Sequence, residues 1–128
     1  MSAVIDHVGL KVADFERSKA FYQAALGTLG IELLADMTFG RDRIAGFGKG
    51  QHPTFWISNG KESRGDTHVA FVAASRAEVN AFYSVALSMG GRDNGAPGLR
   101  AQYHPNYYGA FVFDPDGHNI EAVCHGAE

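Results

Sequence analysis

The chain has 128 residues, of which 45% are hydrophobic and 20% are charged, and its formal net charge is −3. A chain of this length can bury a core without disulfides, so we expect one domain over residues 1–128. The 11 Lys and Arg residues form no basic stripe, which argues against nucleic acid as a partner. No apolar run reaches the roughly 20 residues of a membrane-spanning helix, so we expect no membrane partner either.

The cellular compartment is predicted from the cysteine content and the N-terminus. The only cysteine, Cys124, cannot form a disulfide within the chain. A strand pattern begins within a few residues of the N-terminus and leaves no room for a signal peptide. Both features favour a cytoplasmic protein, because the cytoplasm is a reducing compartment.

In chain order, the predicted elements occur twice. A shift of 61 positions aligns the segment that begins at His7 with the segment that begins at His68 without a gap. Phe21-Tyr22 then aligns with Phe82-Tyr83. Such a repeat indicates two copies of one structural unit. We call residues 1–62 module 1 and residues 63–128 module 2.

Each copy starts with a strand that leads into a helix. Hydrophobic residues alternate with others over residues 8–12 and again over residues 69–73, as in a half-buried strand. Asp14 and Ser75, which are good N-cap residues, come just before the apolar spacing changes to that of a helix. Both helices are therefore predicted to begin directly after these residues.

Three strand-like segments follow each helix. In module 1 they are Ile31–Thr38, Arg43–Phe47 and Thr54–Ser58. In module 2 they are a weak strand over Arg100–Tyr103 and two strong strands, Tyr107–Phe113 and Asn119–Cys124. The turn Asp114-Pro-Asp-Gly117 joins the last two as a tight hairpin, and Arg92–Asn106 is predicted to be the longest irregular stretch. The unit is βαβββ, used twice, which is an α+β fold with eight strands.

Two histidines and one carboxylate fall on strand faces that point away from the helices. His7 and His68 each alternate with the core positions of their strands, and Glu121 lies on the face opposite Cys124. If the strands curl into a trough, the three side chains can converge on its floor. A lone histidine on a strand is usually a hydrogen-bonded surface residue, but here a histidine, His68, also occupies the position of module 2 that is equivalent to His7. The set therefore predicts a site for a divalent metal ion, whether Zn, Mn, Fe, Ni or Co, with positions left open for substrate.

Three segments resemble those of a known superfamily. IDHVGLKVADFERSKAFY resembles the opening of vicinal oxygen chelate proteins, GDTHVAF their mid-chain histidine strand, and FVFDPDGHNIEAV their closing hairpin with its glutamate ligand. This is the glyoxalase/bleomycin resistance protein/extradiol dioxygenase family. The resemblance implies an eight-stranded open cup and a metal that binds adjacent oxygens of a substrate. It also implies a homodimer, in which His7 of one chain can meet His68 and Glu121 of the other.

The chain departs from one branch of that family. Glyoxalases I place a fourth ligand, usually glutamate, at the end of the first module, and here Trp56 lies about where that carboxylate is expected. Tryptophan neither ligates a metal nor takes a proton from carbon, so a glyoxalase I mechanism loses a ligand and a candidate base. A three-ligand site is closer to the dioxygenases and the fosfomycin-inactivating enzymes. The dioxygenases, however, generally carry four modules.

The segment GLRAQYHPNYYGAF supplies further candidates near the presumed cup. Arg100 is suited to hold a carboxylate or phosphate, and His104 or a tyrosine is suited to act as acid or base. The predicted substrate-binding residues are Trp56, Arg100, Tyr103, His104 and Tyr107, and no catalytic residue is assigned. The alternative is a surface loop whose aromatic rings pack on the rim. His52 and His118 are expected to face solvent.

These features favour a metal-dependent enzyme that acts as a Lewis acid on a small oxygenated substrate. Lyase, isomerase, dioxygenase and transferase chemistry all stay open. The alternative is a dimeric protein that binds a small molecule or drug without catalysis, with Trp56 and the tyrosines as walls. The ligand triad ranks the enzyme first, because a pure binding protein has no need of it.

Overall fold

The computed structural model describes residues 4–60 and 66–128, so the predicted boundary between residues 62 and 63 lies outside the described residues. Each described module has the order βαβββ, which confirms the predicted fold class. The elements are β1 (Val8–Val12), α1 (Phe15–Gly27), β2 (Glu32–Phe39), β3 (Asp42–Lys49), β4 (His52–Asn59), β5 (His68–Val72), α2 (Arg76–Ser88), β6 (Arg92–Leu99), β7 (Tyr108–Phe113) and β8 (Asn119–Cys124).

Each module forms one four-stranded sheet, with the strand orders β1-β4-β3-β2 and β5-β8-β7-β6. The first strand of each module pairs in parallel with the last, so Val8 lies opposite Phe55 and Val69 lies opposite Ile120. The other neighbouring strands are antiparallel. Consequently β1 and β5 are edge strands, and each has one backbone edge that the described residues of the same chain leave unpaired.

Both helices begin at the predicted N-caps. The Asp14 carboxylate accepts a hydrogen bond from Arg17 N at 3.2 Å, and the Ser75 hydroxyl accepts one from Glu78 N at 3.2 Å. Each cap satisfies a backbone donor that the first helical turn leaves free. Across the described parts of the chain, neither helix has the length and apolar character that a membrane span requires.

The hydrophobic core lies between the sheets and the helices, which also contact each other. On β1, Leu10 and Val12 are buried on the helix side, as the alternation predicts. Tyr22 of α1 packs against Phe47 and Phe55 with ring centroids 6.3 and 4.8 Å away. The helices thus cover one face of each sheet, and the strand residues of the candidate site lie on the other face.

The prediction for the second strand of module 2, the first one after the helix, is wrong. The strand is β6, and the segment predicted as a strand, Arg100–Tyr103, forms a turn. Glycine and proline made β6 look irregular, and its pairing with β7 does shift register near Gly95 and Gly98. Because β6 is an edge strand that bonds to one neighbour only, it tolerates Pro97, which has no N–H.

The Asp-Pro-Asp-Gly turn forms as predicted, but the histidine after it is not exposed. Gly117 N donates to Asp114 O at 2.9 Å and closes the turn. The turn then folds onto the start of α1, where Asp116 accepts hydrogen bonds from Ala13 N at 3.0 Å and from the Ser18 hydroxyl at 3.4 Å. His118, which directly follows this turn, is 0% exposed, so the expectation that it faces solvent is wrong.

Candidate metal centre

The histidine of β5 and the glutamate of β8 lie side by side. The parallel register sets Ala70 opposite Glu121, and the His68 side chain reaches the same carboxylate. His68 Nε2 lies 2.9 Å from Glu121 Oε1. The Glu121 side chain is 1% exposed and that of His68 is 50% exposed. The carboxylate is therefore buried, and solvent reaches the pair from the side of the imidazole.

The second carboxylate oxygen is also engaged. The Tyr107 hydroxyl donates a hydrogen bond to Glu121 Oε2. Burial, followed by this hydrogen bond and the carboxylate charge, raises the pKa of Tyr107 to about 12. The hydroxyl therefore keeps its proton at neutral pH and remains a donor. Tyr107, predicted as a substrate contact, is placed directly on a predicted metal ligand.

The histidine of module 1 lies elsewhere. His7 is exposed, and its Nδ1 is 2.7 Å from Asp6 Oδ2. This hydrogen bond lowers the pKa of Asp6, and the charge of His52 acts in the same direction. His7 also lines a cavity of about 470 Å³ on the sheet face away from α1, together with Gly9, Met37, Ile44, Trp56 and Ser58. We call this cavity the apolar half-cup.

Trp56 occupies the position in module 1 that Glu121 occupies in module 2. Trp56 is paired with Gly9, and Glu121 is paired with Ala70, the repeat equivalent of Gly9. The register therefore makes Trp56 the repeat equivalent of Glu121, and its correspondence to a glyoxalase I ligand stays a prediction. The indole lies against Gly46, where an added Cβ would come within 2.7 Å of the Trp56 ring.

One chain does not assemble the whole predicted triad. Within residues 4–60 and 66–128, no three His, Cys, Asp or Glu side chains are grouped closely enough to hold a metal ion. The structure brings His68 and Glu121 together and leaves His7 in the apolar half-cup. The ligand role of all three residues stays a prediction.

The donors present fit a divalent metal. An imidazole nitrogen beside a carboxylate oxygen is a common pair of ligands for zinc and the neighbouring transition metals. Among the described residues, the ion pair of the buried Glu121 is with His68 alone. A buried carboxylate is costly without a positive partner, and a metal ion held by both residues supplies one.

Arg100 is engaged by its own surroundings. Its Nη1 donates to the carbonyl oxygens of Gly98 and Gly109 at 2.7 and 2.9 Å, and its Nη2 donates to Ala96 O at 2.9 Å. The guanidinium thus ties β6 to β7. Its contact with a substrate anion stays a prediction.

The other candidates of this segment form a row of rings that leads outward from Glu121. The Tyr107 ring contacts Tyr103 and His125 with centroids 5.1 and 5.2 Å away, and His125 contacts His104 at 5.4 Å. His125 is not among the predicted site residues, although the alternation of side chains along a strand puts it on the same face as Glu121, four residues earlier. That shared face was the signal that His125 borders the site.

An apolar groove is lined by residues of both modules. It has a volume of about 790 Å³ and runs between the start of β1 and the whole of β5. Val4, Ile5 and Val72 line it and are 100%, 67% and 73% exposed. We call it the edge-strand groove.

Known proteins share this sequence pattern and this fold. The family described as Glyoxalase/Bleomycin resistance protein/Dioxygenase superfamily matches residues 4–122. The solved structure of a glyoxalase/bleomycin resistance protein from Albidiferax ferrireducens is 30% identical, with a TM-score of 0.80 over 95% of this chain and 99% of that chain. A comparison with curated protein sequences found no match.

Two more distant structures are similar in fold. The genomically encoded fosfomycin resistance protein FosX from Listeria monocytogenes is 21% identical, with a TM-score of 0.70 over 100% of this chain and 95% of that chain. Glyoxalase I from Zea mays is 24% identical, with a TM-score of 0.70 over 94% of this chain. The match covers 45% of the Zea mays chain, which is less than half of its length.

Proposed function

Because the chain belongs to the Glyoxalase/Bleomycin resistance protein/Dioxygenase superfamily, we propose that it is a metal-dependent enzyme that acts on a small oxygenated substrate. The observation that carries this proposal is the pair of His68 and Glu121, whose Nε2 and Oε1 atoms lie 2.9 Å apart over a buried carboxylate. The donors accept Zn, Mn, Fe, Ni or Co and do not select one of them.

In this proposal each module supplies part of the site. His68 and Glu121 hold the metal from module 2, and His7 of module 1 provides the third ligand. The bound ion supplies Lewis-acid chemistry, in which adjacent substrate oxygens are polarised. Three protein ligands leave positions open for those oxygens. The reaction can then be of lyase, isomerase, dioxygenase or transferase type.

The complete site is proposed to form across a homodimer. His7 lies outside the His68 and Glu121 pair of its own chain. β1 and β5 each have a backbone edge that pairs with no other described strand of the chain, beside the apolar edge-strand groove, and such an edge is suited to a second copy. A twofold axis that joins module 1 of one chain to module 2 of the other builds two equivalent sites at once.

The substrate is proposed to have an apolar part next to its oxygens. The apolar half-cup beside His7 is walled by Trp56, Met37 and Ile44, which suit a hydrocarbon or aromatic group. On the side of module 2, the proposed substrate contacts are Arg100, Tyr103, His104 and Tyr107. Trp56 is the only tryptophan, so its fluorescence is a direct probe of ligand entry.

The first test measures metal content by plasma mass spectrometry in protein purified without an affinity tag. The variants are Glu121→Gln and, as the matched control at the equivalent position of module 1, Trp56→Phe. We expect near-stoichiometric metal in the wild type and the control and little metal in Glu121→Gln, because even the outer partners of a metal ligand change metal affinity by roughly 10–100-fold and the loss of a ligand should change it more.

Such a result leads to screening dicarbonyl, catechol, epoxide and acyl-CoA substrates with the ion that was found. If the wild type stays empty, even after Mn, Fe, Ni, Co or Zn is added, the enzyme proposal is overturned. Titration of Trp56 fluorescence with small aromatic ligands then tests the non-catalytic binding protein.

A further inference from the structure

We propose that Tyr107 is a positioning residue that holds Glu121 as a ligand through one oxygen only. The inference rests on the proposed function, because it concerns how the same carboxylate meets the metal. Tyr107 itself does not contact the ion in this proposal. It acts through the hydrogen bond from its hydroxyl to Glu121 Oε2.

The two carboxylate oxygens have different partners. Oε1 faces His68 Nε2, the other donor of the pair, and Oε2 accepts from the Tyr107 hydroxyl. Among the described residues, these are the hydrogen bonds of the Glu121 side chain. A metal held by His68 and Glu121 would therefore be bound through Oε1, because Oε2 already accepts a hydrogen bond from the Tyr107 hydroxyl.

Tyr107 is itself held in place on both sides of its backbone. Its N–H donates to His104 O at 3.0 Å, and its carbonyl accepts from Arg100 N at 2.7 Å. Its ring packs edge-on between Tyr103 and His125. A hydroxyl with such limited freedom can fix the plane of a carboxylate, as the outer partners of metal ligands do.

A glycine on β7, Gly109, leaves space for the contact between Tyr107 and Glu121. Gly109 lies two residues after Tyr107, and a Cβ there would lie 3.2 Å from Tyr107 Cε1 and 3.3 Å from Glu121 Oε2. Both distances are tighter than an ordinary carbon contact, so a larger residue would press on the hydrogen-bonded pair. Glycine at this position lets the tyrosine approach the carboxylate.

The consequence concerns the number of open positions on the metal. A carboxylate that binds through both oxygens occupies two coordination positions of the metal. Glu121, bound through Oε1 alone, would occupy one. A substrate with two adjacent oxygens needs two positions at the ion. Tyr107 would thus preserve room for the proposed substrate class.

The test titrates the full-length protein with Co²⁺ alone, by calorimetry and by visible absorption, whose shape and intensity depend on the coordination number. The variant is Tyr107→Phe, which removes only the hydroxyl. The matched control is Tyr108→Phe, which removes the hydroxyl that donates to Asn80 Oδ1 at 2.7 Å and leaves Glu121 untouched. Gly109→Ala is a second variant that disturbs the same contact without removing a hydroxyl.

We expect Tyr107→Phe and Gly109→Ala to bind Co²⁺ about tenfold more weakly, in line with other outer partners of metal ligands. Their spectra should also change, because the freed carboxylate can bind through both oxygens, whereas Tyr108→Phe should match the wild type. If Co²⁺ binds to the wild type and Tyr107→Phe has the same affinity and spectrum, this inference is overturned and the metal site stands. If the wild type binds no Co²⁺, the metal site and this inference are both overturned.

Discussion

The last strand of each module meets the first in the same register, yet one presents Trp56 and the other Glu121. The repeat therefore supplies the same backbone position twice, and the side chain decides its chemistry. In module 1 the position becomes the wall of the apolar half-cup. In module 2 it becomes a buried anion beside His68. In the proposed function, the repeated position therefore contributes two complementary parts of one site rather than two equal sites.

The neighbouring strand shows a matching exchange of size. Gly46 lies opposite Trp56 on β3, and Phe111 lies opposite Glu121 on β7. The small residue accepts the flat indole, and the large one flanks His68, whose ring centroid is 6.2 Å from that of Phe111. Each half is thus packed by a pair of residues whose sizes compensate, as close packing requires.

The largest expected effect tests whether the two halves combine across chains. His7→Ala breaks the part from module 1, and Glu121→Ala breaks the part from module 2. Neither variant alone should retain metal. After the two are unfolded together and refolded, we expect about a quarter of the wild-type metal, because about half of the dimers are mixed and each mixed dimer has one complete site of two. Plasma mass spectrometry of the refolded dimer measures this.

A mixture that stays as empty as the separate variants would contradict a shared site. Each variant refolded alone is the control for metal that binds elsewhere. Light scattering on the same samples reports whether dimers form at all.

The sequence predicted the features that depend on local pattern. The repeat and the two N-caps located both helices, and counting along β8 put Glu121 on the face away from the core. What it missed depends on packing. β6 is a strand because it can bond to β7 despite Gly95 and Gly98, and His118, which is buried, follows a turn that folds onto α1 from the other module. No local pattern contains such contacts.

An intermediate effect is expected from filling the space under the indole. In Gly46→Ala the new Cβ would meet the Trp56 ring at 2.7 Å, so the ring or the strand must move. We expect a loss of about 1–3 kcal/mol in the free energy of unfolding, the usual cost of overpacking. Urea unfolding followed by Trp56 fluorescence measures both the loss and the new environment of the ring.

The matched control is Gly27→Ala at the end of α1, where an added Cβ meets no atom within 4 Å. Alanine is the better helix former, so this change should leave stability equal or raise it by up to about 1 kcal/mol. Equal stability of the two variants would mean that the packing of the Trp56 indole does not require glycine at position 46.

The smallest effect compares the equivalent tyrosines of the two helices, Tyr22 and Tyr83. The hydroxyl of the buried Tyr22 donates to Asp114, and that of Tyr83 donates to Asp93 at 2.9 Å near the surface. Burial and the charge of Asp114 raise the pKa of Tyr22 well above 10.0, whereas the hydrogen bond to Asp93 is the main cause of the raised pKa of Tyr83. The two tyrosines are equivalent in the repeat, but Tyr22 is buried and the hydrogen bond of Tyr83 lies near the surface.

Because the pKa of Tyr22 is higher in the folded state than in the unfolded state, its contribution to stability is complete below pH 10.0 and is lost as the pH rises above that value. One such tyrosine lowers the free energy of unfolding by about 1.4 kcal/mol for each pH unit in that range. We expect Tyr22→Phe to remove this part of the alkaline slope and Tyr83→Phe to change it less. Urea unfolding at several alkaline pH values measures the slopes, and an unchanged slope in Tyr22→Phe would mean that the pKa of Tyr22 is not raised in the folded state.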